Sequence, residues 1–72
     1  MESQVLSKWE EIVVLVQTIE IDVRKSARGN ASAGVRARKG LRKLKEWSAD
    51  LVRTMIAERK ISEAEESSAK TA

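Results

Sequence analysis

Residues 24–45 read RKSARGNASAGVRARKGLRKLK, and how this stretch is read decides the fold of everything on either side of it. It holds all three glycines, Gly29, Gly34 and Gly40, in a chain that has no proline. Arg24, Lys25 and Arg28 gather where cations favour a helix C-terminus. Gly29 suits the left-handed position that closes a helix, and Asn30 or Ser32 suits the N-cap of the next. Gly34, early in that second helix, costs about 1 kcal/mol relative to alanine. The stretch predicts a short reversal between two helices, with the turn at 29–32.

Charge is segregated around the same turn. The stretch carries nine Lys/Arg and no acid, a formal +9, whereas the remainder carries five basic residues against eleven acids, 5 − 11 = −6. The overall charge of +3 therefore conceals a strongly polarised molecule.

Working outward on the N-terminal side, Val5, Trp9, Ile12, Val16, Ile19 and Val23 recur at spacings of four, three, four, three, four. That is the a/d series of a helix packed along a seam, and it outweighs the β-branched run Ile12–Val14. Leu6, Val13 and Leu15 widen the apolar stripe towards that of a bundle helix. Ser3 suits the N-cap and Glu2 the positive helix start.

On the C-terminal side, Ala33, Ala37, Gly40/Leu41, Leu44, Trp47/Ser48, Leu51 and Met55 form a second series, small near the turn and larger away from it. Folding the helices antiparallel pairs positions whose numbers sum to about 60. Val23 then faces Ala37, Ile19 faces Leu41, Val16 faces Leu44, Ile12 faces Trp47/Ser48, Trp9 faces Leu51 and Val5 faces Met55. Every partner is apolar or small, which predicts an all-α antiparallel hairpin. The expected bounds are a hairpin over 1–62, with helices over about 3–28 and 33–62, followed by a frayed acidic tail over 63–72.

Two helices of this length leave apolar surface uncovered, including Leu6, Val13, Leu15, Val52 and Ile56. The closed solution is a two-fold dimer of hairpins, a four-helix bundle. Its core and dimer residues are expected to be Val5, Trp9, Ile12, Val16, Ile19, Leu44, Trp47, Leu51 and Met55. The two tryptophans are core or interface residues here rather than platforms for a ligand.

On a wheel of ~100° per residue with Ala37 at zero, Leu41, Leu44, Ser48, Leu51 and Met55 cluster near zero, and Arg36, Arg38, Lys39, Arg42 and Lys43 fall on the opposite side. Ordinary solvated faces mix signs and carry i,i+4 acid–base pairs. Here like charges repeat at Arg38–Arg42, Lys39–Lys43 and Arg24–Arg28, an arrangement that repels itself without an anionic partner. Double-stranded DNA, RNA, an anionic membrane and an acidic protein are the candidates. No aromatic residue is interleaved with the cations, so base stacking is not signalled. The face opposite the cations is needed for packing, so no free apolar face remains to enter a membrane. Backbone-directed, sequence-tolerant binding of duplex DNA fits best, with Arg24, Lys25, Arg28, Asn30, Arg36, Arg38, Lys39, Arg42 and Lys43 as the contact residues.

Other classes are excluded by what the sequence lacks. There is no His or Cys, no phosphate-binding Gly-rich loop and no carboxylate pair at an apolar pocket. Asp22 and Asp50 read as isolated and solvated. No enzyme, metal, cofactor or small-molecule substrate is expected. Zero cysteines fit a reducing compartment. The start MESQVLSKWEE has no signal-peptide pattern, and the longest apolar run, Ile12–Val16, is too short to span a bilayer.

The segment GNASAGVRARKGLRKLK resembles the core of the bacterial histone H1-like proteins of the chlamydial type. The matching features are Gly29 and Asn30, the small residues Ala31 and Ala33, the Arg36-x-Arg38 pair, and a basic helix carrying Leu44. Weaker similarity extends from about Val5 to Lys60. The resemblance implies non-specific DNA binding with compaction or bridging, self-association through a helical region, and a cytoplasmic, nucleoid-associated location. Members of that family carry a long Lys/Ala-rich tail, whereas residues 62–72 here are acidic, so the hairpin tip is expected to make the DNA contact. The competing expectation is a helical interaction or self-assembly module whose basic tip meets acidic protein segments such as Glu63, Glu65 and Glu66.

Overall fold

A computed structural model describes residues 3–71, with side chains through Arg59. The protein is all-helical: α1 spans Gln4–Ala27 and α2 spans Ala31–Thr71, packed antiparallel as a hairpin. The backbone of α2 runs on through Thr71, across the stretch where a frayed tail was expected, and the role expected for Glu2 lies outside the described residues.

Ser3 caps α1 as its sequence position predicts, its Oγ accepting a hydrogen bond from the Val5 amide at 3.2 Å. A second contribution comes from the other helix. The Glu58 carboxylate accepts from Ser3 Oγ at 3.1 Å and from the Gln4 amide at 3.3 Å. A carboxylate at this end both satisfies a free amide and meets the positive end of the α1 dipole.

The hairpin interface is built on a seam turned by about one residue from the expected one. On α1 the less exposed positions are Val5, Lys8, Ile12, Val13, Leu15, Ile19, Asp22 and Ser26, and on α2, among the described residues, they are Ala33, Gly34, Ala37, Gly40, Leu44, Trp47, Asp50, Leu51, Thr54 and Glu58. Val5, Ile12 and Ile19 keep their expected places in the seam. Trp9 is 52 % exposed, Val16 45 % and Met55 52 %, and Val23 and Leu41 are likewise exposed. Lys8, Leu15, Asp22, Gly40 and Thr54 hold the corresponding positions between the helices.

The shift has two physical causes. First, the closest approach runs over the small residues of α2. Ala33 is 0 % exposed and Ala37 4 %, and Ile12 and Ile19 are the large side chains buried with them. A β-carbon on Gly40 would lie 2.7 Å from Ile19 Cγ1, and one on Gly34 would lie 3.0 Å from Ser26 Oγ. Gly34 and Gly40 therefore let α1 approach more closely than any other residue would permit, which offsets their weak helix propensity.

Second, polar groups bridge the helices. Lys8 Nζ lies 2.8 Å from an Asp50 carboxylate oxygen and donates to Thr54 Oγ1 at 2.7 Å. Arg36 Nε lies 3.1 Å from Asp22 Oδ1. Asp22 and Asp50 are thus not the isolated, solvated acids that the sequence suggested. Each ties one helix to the other, and the Asp22 side chain is only 17 % exposed. The hydrogen bond from Lys8, with lesser help from the Lys8 and Arg53 charges, holds the Asp50 carboxyl below its ordinary pKa despite some opposing desolvation.

Candidate nucleic-acid interface

The tip is fixed by backbone bonding. The Gly29 amide donates to Ser26 O at 2.9 Å and the Asn30 amide to Lys25 O at 3.1 Å, the two bonds of a Schellman closure. Gly29 takes φ +98°, in the left-handed region, as its position predicts. Asn30 then opens α2: its Oδ1 accepts from the Ala33 amide at 2.9 Å and its carbonyl accepts from the Gly34 amide at 3.1 Å. Of the two expected N-caps, Asn30 takes the role and Ser32 lies within the first turn. The reversal occupies Arg28–Asn30, tighter than 29–32.

This tip carries Lys25, Arg28 and Asn30, all exposed. Beyond it α2 presents Arg38, Lys39 and Arg42 on the side turned away from α1, with Arg36 and Lys43 towards its edges. All five are exposed. Lys45 belongs to the same surface, seven positions after Arg38 and three after Arg42. Spacing alone placed it there, although the expected contact set omitted it.

The expected cations are not equivalent. Arg24 is paired with Glu20 one turn earlier, at 2.8 Å, and Arg36 is paired with Asp22. Lys43 Nζ sits 5.0 Å from the centroid of the Trp47 ring, a cation–π arrangement. Among the described residues, Lys25, Arg28, Arg38, Lys39, Arg42, Lys43 and Lys45 face no carboxylate within ion-pair distance. Their charges have no ion-pair partner among the described residues, and they cover the tip and outer face of α2, with Glu46 beside Arg42 and Lys45 at the end far from the tip. A shallow groove of about 680 Å³ lies farther along one flank, but its walls include Glu10 and Glu11, so it does not extend the phosphate-attracting surface.

Among the described residues no helix is long and apolar enough to cross a membrane, and no cluster of His, Cys, Asp and Glu is placed to hold a metal ion.

No curated relative and no solved structure matches the chain. A family model does, that of the histone H1-like protein Hc1, over residues 7–62. The match takes in the α1 seam from Lys8 onward, the Gly29–Asn30 reversal and every cation of the exposed surface. On this evidence the chain belongs to the histone H1-like Hc1 family, whose general role is to bind and condense DNA.

Proposed function

We propose that the hairpin binds duplex DNA through its phosphate backbone without reading base sequence, and that self-associated hairpins bridge or compact DNA with their basic tips. The observation that carries this reading is the set of cations on the tip and outer face of α2 that have no carboxylate partner. Such a surface releases condensed counterions when it meets phosphates, a gain that does not depend on sequence. Arg28, Asn30, Arg38, Lys39 and Arg42 are assigned the direct contact. Arg24 and Arg36 contribute only as far as phosphate can compete with Glu20 and Asp22. Nucleoid DNA is the corresponding location.

The test is a titration of a fluorescent random-sequence duplex from about 50 to 300 mM salt, where each neutralised phosphate contributes about −0.9 to the log–log slope. Tight binding at low salt, falling steeply and equally for unrelated duplexes, is the expected result. No binding at the lowest salt would sink the proposal and favour an acidic protein as the partner of the tip.

A further inference from the structure

The lone hairpin leaves one flank rich in exposed apolar side chains, interrupted by Glu20, Arg38 and Lys45, and the apolar pattern of that flank is regular. Trp9, Val16 and Val23 lie seven residues apart, each one position beyond a seam residue of α1, and all three are exposed. Leu41, Val52 and Met55 also lie one position beyond seam residues, on α2, and are exposed as well. One position is about 100° of rotation, taken in the same sense along each chain. Because the helices are antiparallel, residues one step past the seam fall on the same flank in both. The six side chains therefore form one stripe running from the tip end to the open end.

We propose that this stripe is the seat of a second copy of the chain, packed antiparallel so that the two basic tips point in opposite directions. The inference deepens the self-association proposed above by assigning it a face and a polarity. Three observations favour a second copy. Among the described residues the hairpin buries only Ile12, Ile19, Ala33 and Ala37 of its apolar side chains, a thin core for helices of this length, which owe most of their stability to packing. The six stripe residues expose roughly 550 Å² per copy, a large part of the ~800 Å² per partner of a standard interface. Charge then selects the polarity. A parallel pair sets two +9 stretches side by side, whereas an antiparallel pair lays each beside the −6 remainder of its neighbour.

Sedimentation equilibrium of the full chain, without DNA, is expected to give about twice 8.0 kDa. Trp9→Glu with Met55→Glu is expected to return the monomer mass with helicity kept. Ile21→Glu, exposed but off the stripe, is expected to leave the dimer intact. A spin label on Ser32→Cys, the only cysteine then present, is expected to report a tip-to-tip distance of about 35 Å or more, the length of α1 at 1.5 Å per residue. Monomer mass at every concentration, a dimer unmoved by the Trp9/Met55 change, or a tip separation below ~20 Å would each overturn the proposal. Failure of the DNA reading would appear in the salt titration and leave mass and spacing unchanged.

Discussion

Ile19 sits in the notch left by Gly40: a β-carbon there would lie 2.7 Å from Ile19 Cγ1, so the two residues set how closely the helices approach. Gly40→Ala gains about 1 kcal/mol of helix propensity but forces a contact whose overpacking costs typically about 1–3 kcal/mol. The net expectation is a loss of up to about 2 kcal/mol, read as a lower urea midpoint, with a larger loss for Gly40→Val. Ile19→Ala in the Gly40→Ala background is expected to cost less than Ile19→Ala alone. A double-mutant cycle with no coupling would show that the notch does not set the spacing.

The turn has a narrower tolerance. Gly29 holds φ +98°, where an L side chain costs about 1–2 kcal/mol, so Gly29→Ala is expected to lower stability by that order. Asn30→Ala removes the cap on the Ala33 amide and is expected to cost about 1 kcal/mol, with Asn30→Asp retaining most of it. Thermal melts by circular dichroism check both, and an unchanged Gly29→Ala melt would mean that the tip rearranges freely.

The Lys8–Asp50 pair gives the fold a dependence on acidity. Asp50 is held below its usual pKa of 3.8 in the folded chain, chiefly by the hydrogen bond from Lys8. A carboxyl depressed on folding adds stability above its unfolded pKa, and that contribution disappears as pH falls through the lower, folded value. Wild-type protein is therefore expected to lose stability relative to Asp50→Asn as pH falls past 3.8 towards the lower, folded value. Parallel acid limbs for the two proteins would show that the pair contributes nothing measurable.

Cations with and without internal partners should separate in DNA binding. Arg42→Ala or Arg38→Ala is expected to weaken binding for all duplexes alike and to reduce the salt slope by about 1. Arg36→Ala is expected to change the slope less and stability more, because it strips the 17 %-exposed Asp22 carboxylate of its partner. Equal slopes for the Arg36 and Arg42 variants would remove the distinction.

The hairpin, its turn and its basic surface were legible in the sequence because each rests on a local rule. Gly29 and Asn30 fit only a helix end and a helix start, and a run of cations without acids needs no tertiary knowledge to be seen. The seam was legible only in part. The α1 stripe is wider than one interface, so Trp9, Val16 and Val23 competed with Lys8, Leu15 and Asp22, and hydrophobicity favoured the wrong side of the stripe for the contact within the hairpin. Pairing by numbers summing to about 60 held the answer when applied to charges: Lys8 with Asp50, Asp22 with Arg36 and Ser3 with Glu58 all obey it. Those pairs, together with the need to set Gly40 against a large side chain, decide which face of α1 meets α2. The ranking of the cations was not legible, because it depends on which of them finds an acid across the hairpin or one turn away.

Asn30 ends one helix with its amide and begins the next with its side chain, so the chain reverses with almost no unassigned residues. A connection this short adds little loop-closure entropy, and the first contacts between the helices, Ser26 with Gly34 and Asp22 with Arg36, are close in sequence. Folding is therefore expected to start at the tip and zip towards Ser3 and Glu58. The cationic end would then be ordered earliest and open last, so that partial unfolding from the far end would spare the surface assigned to DNA.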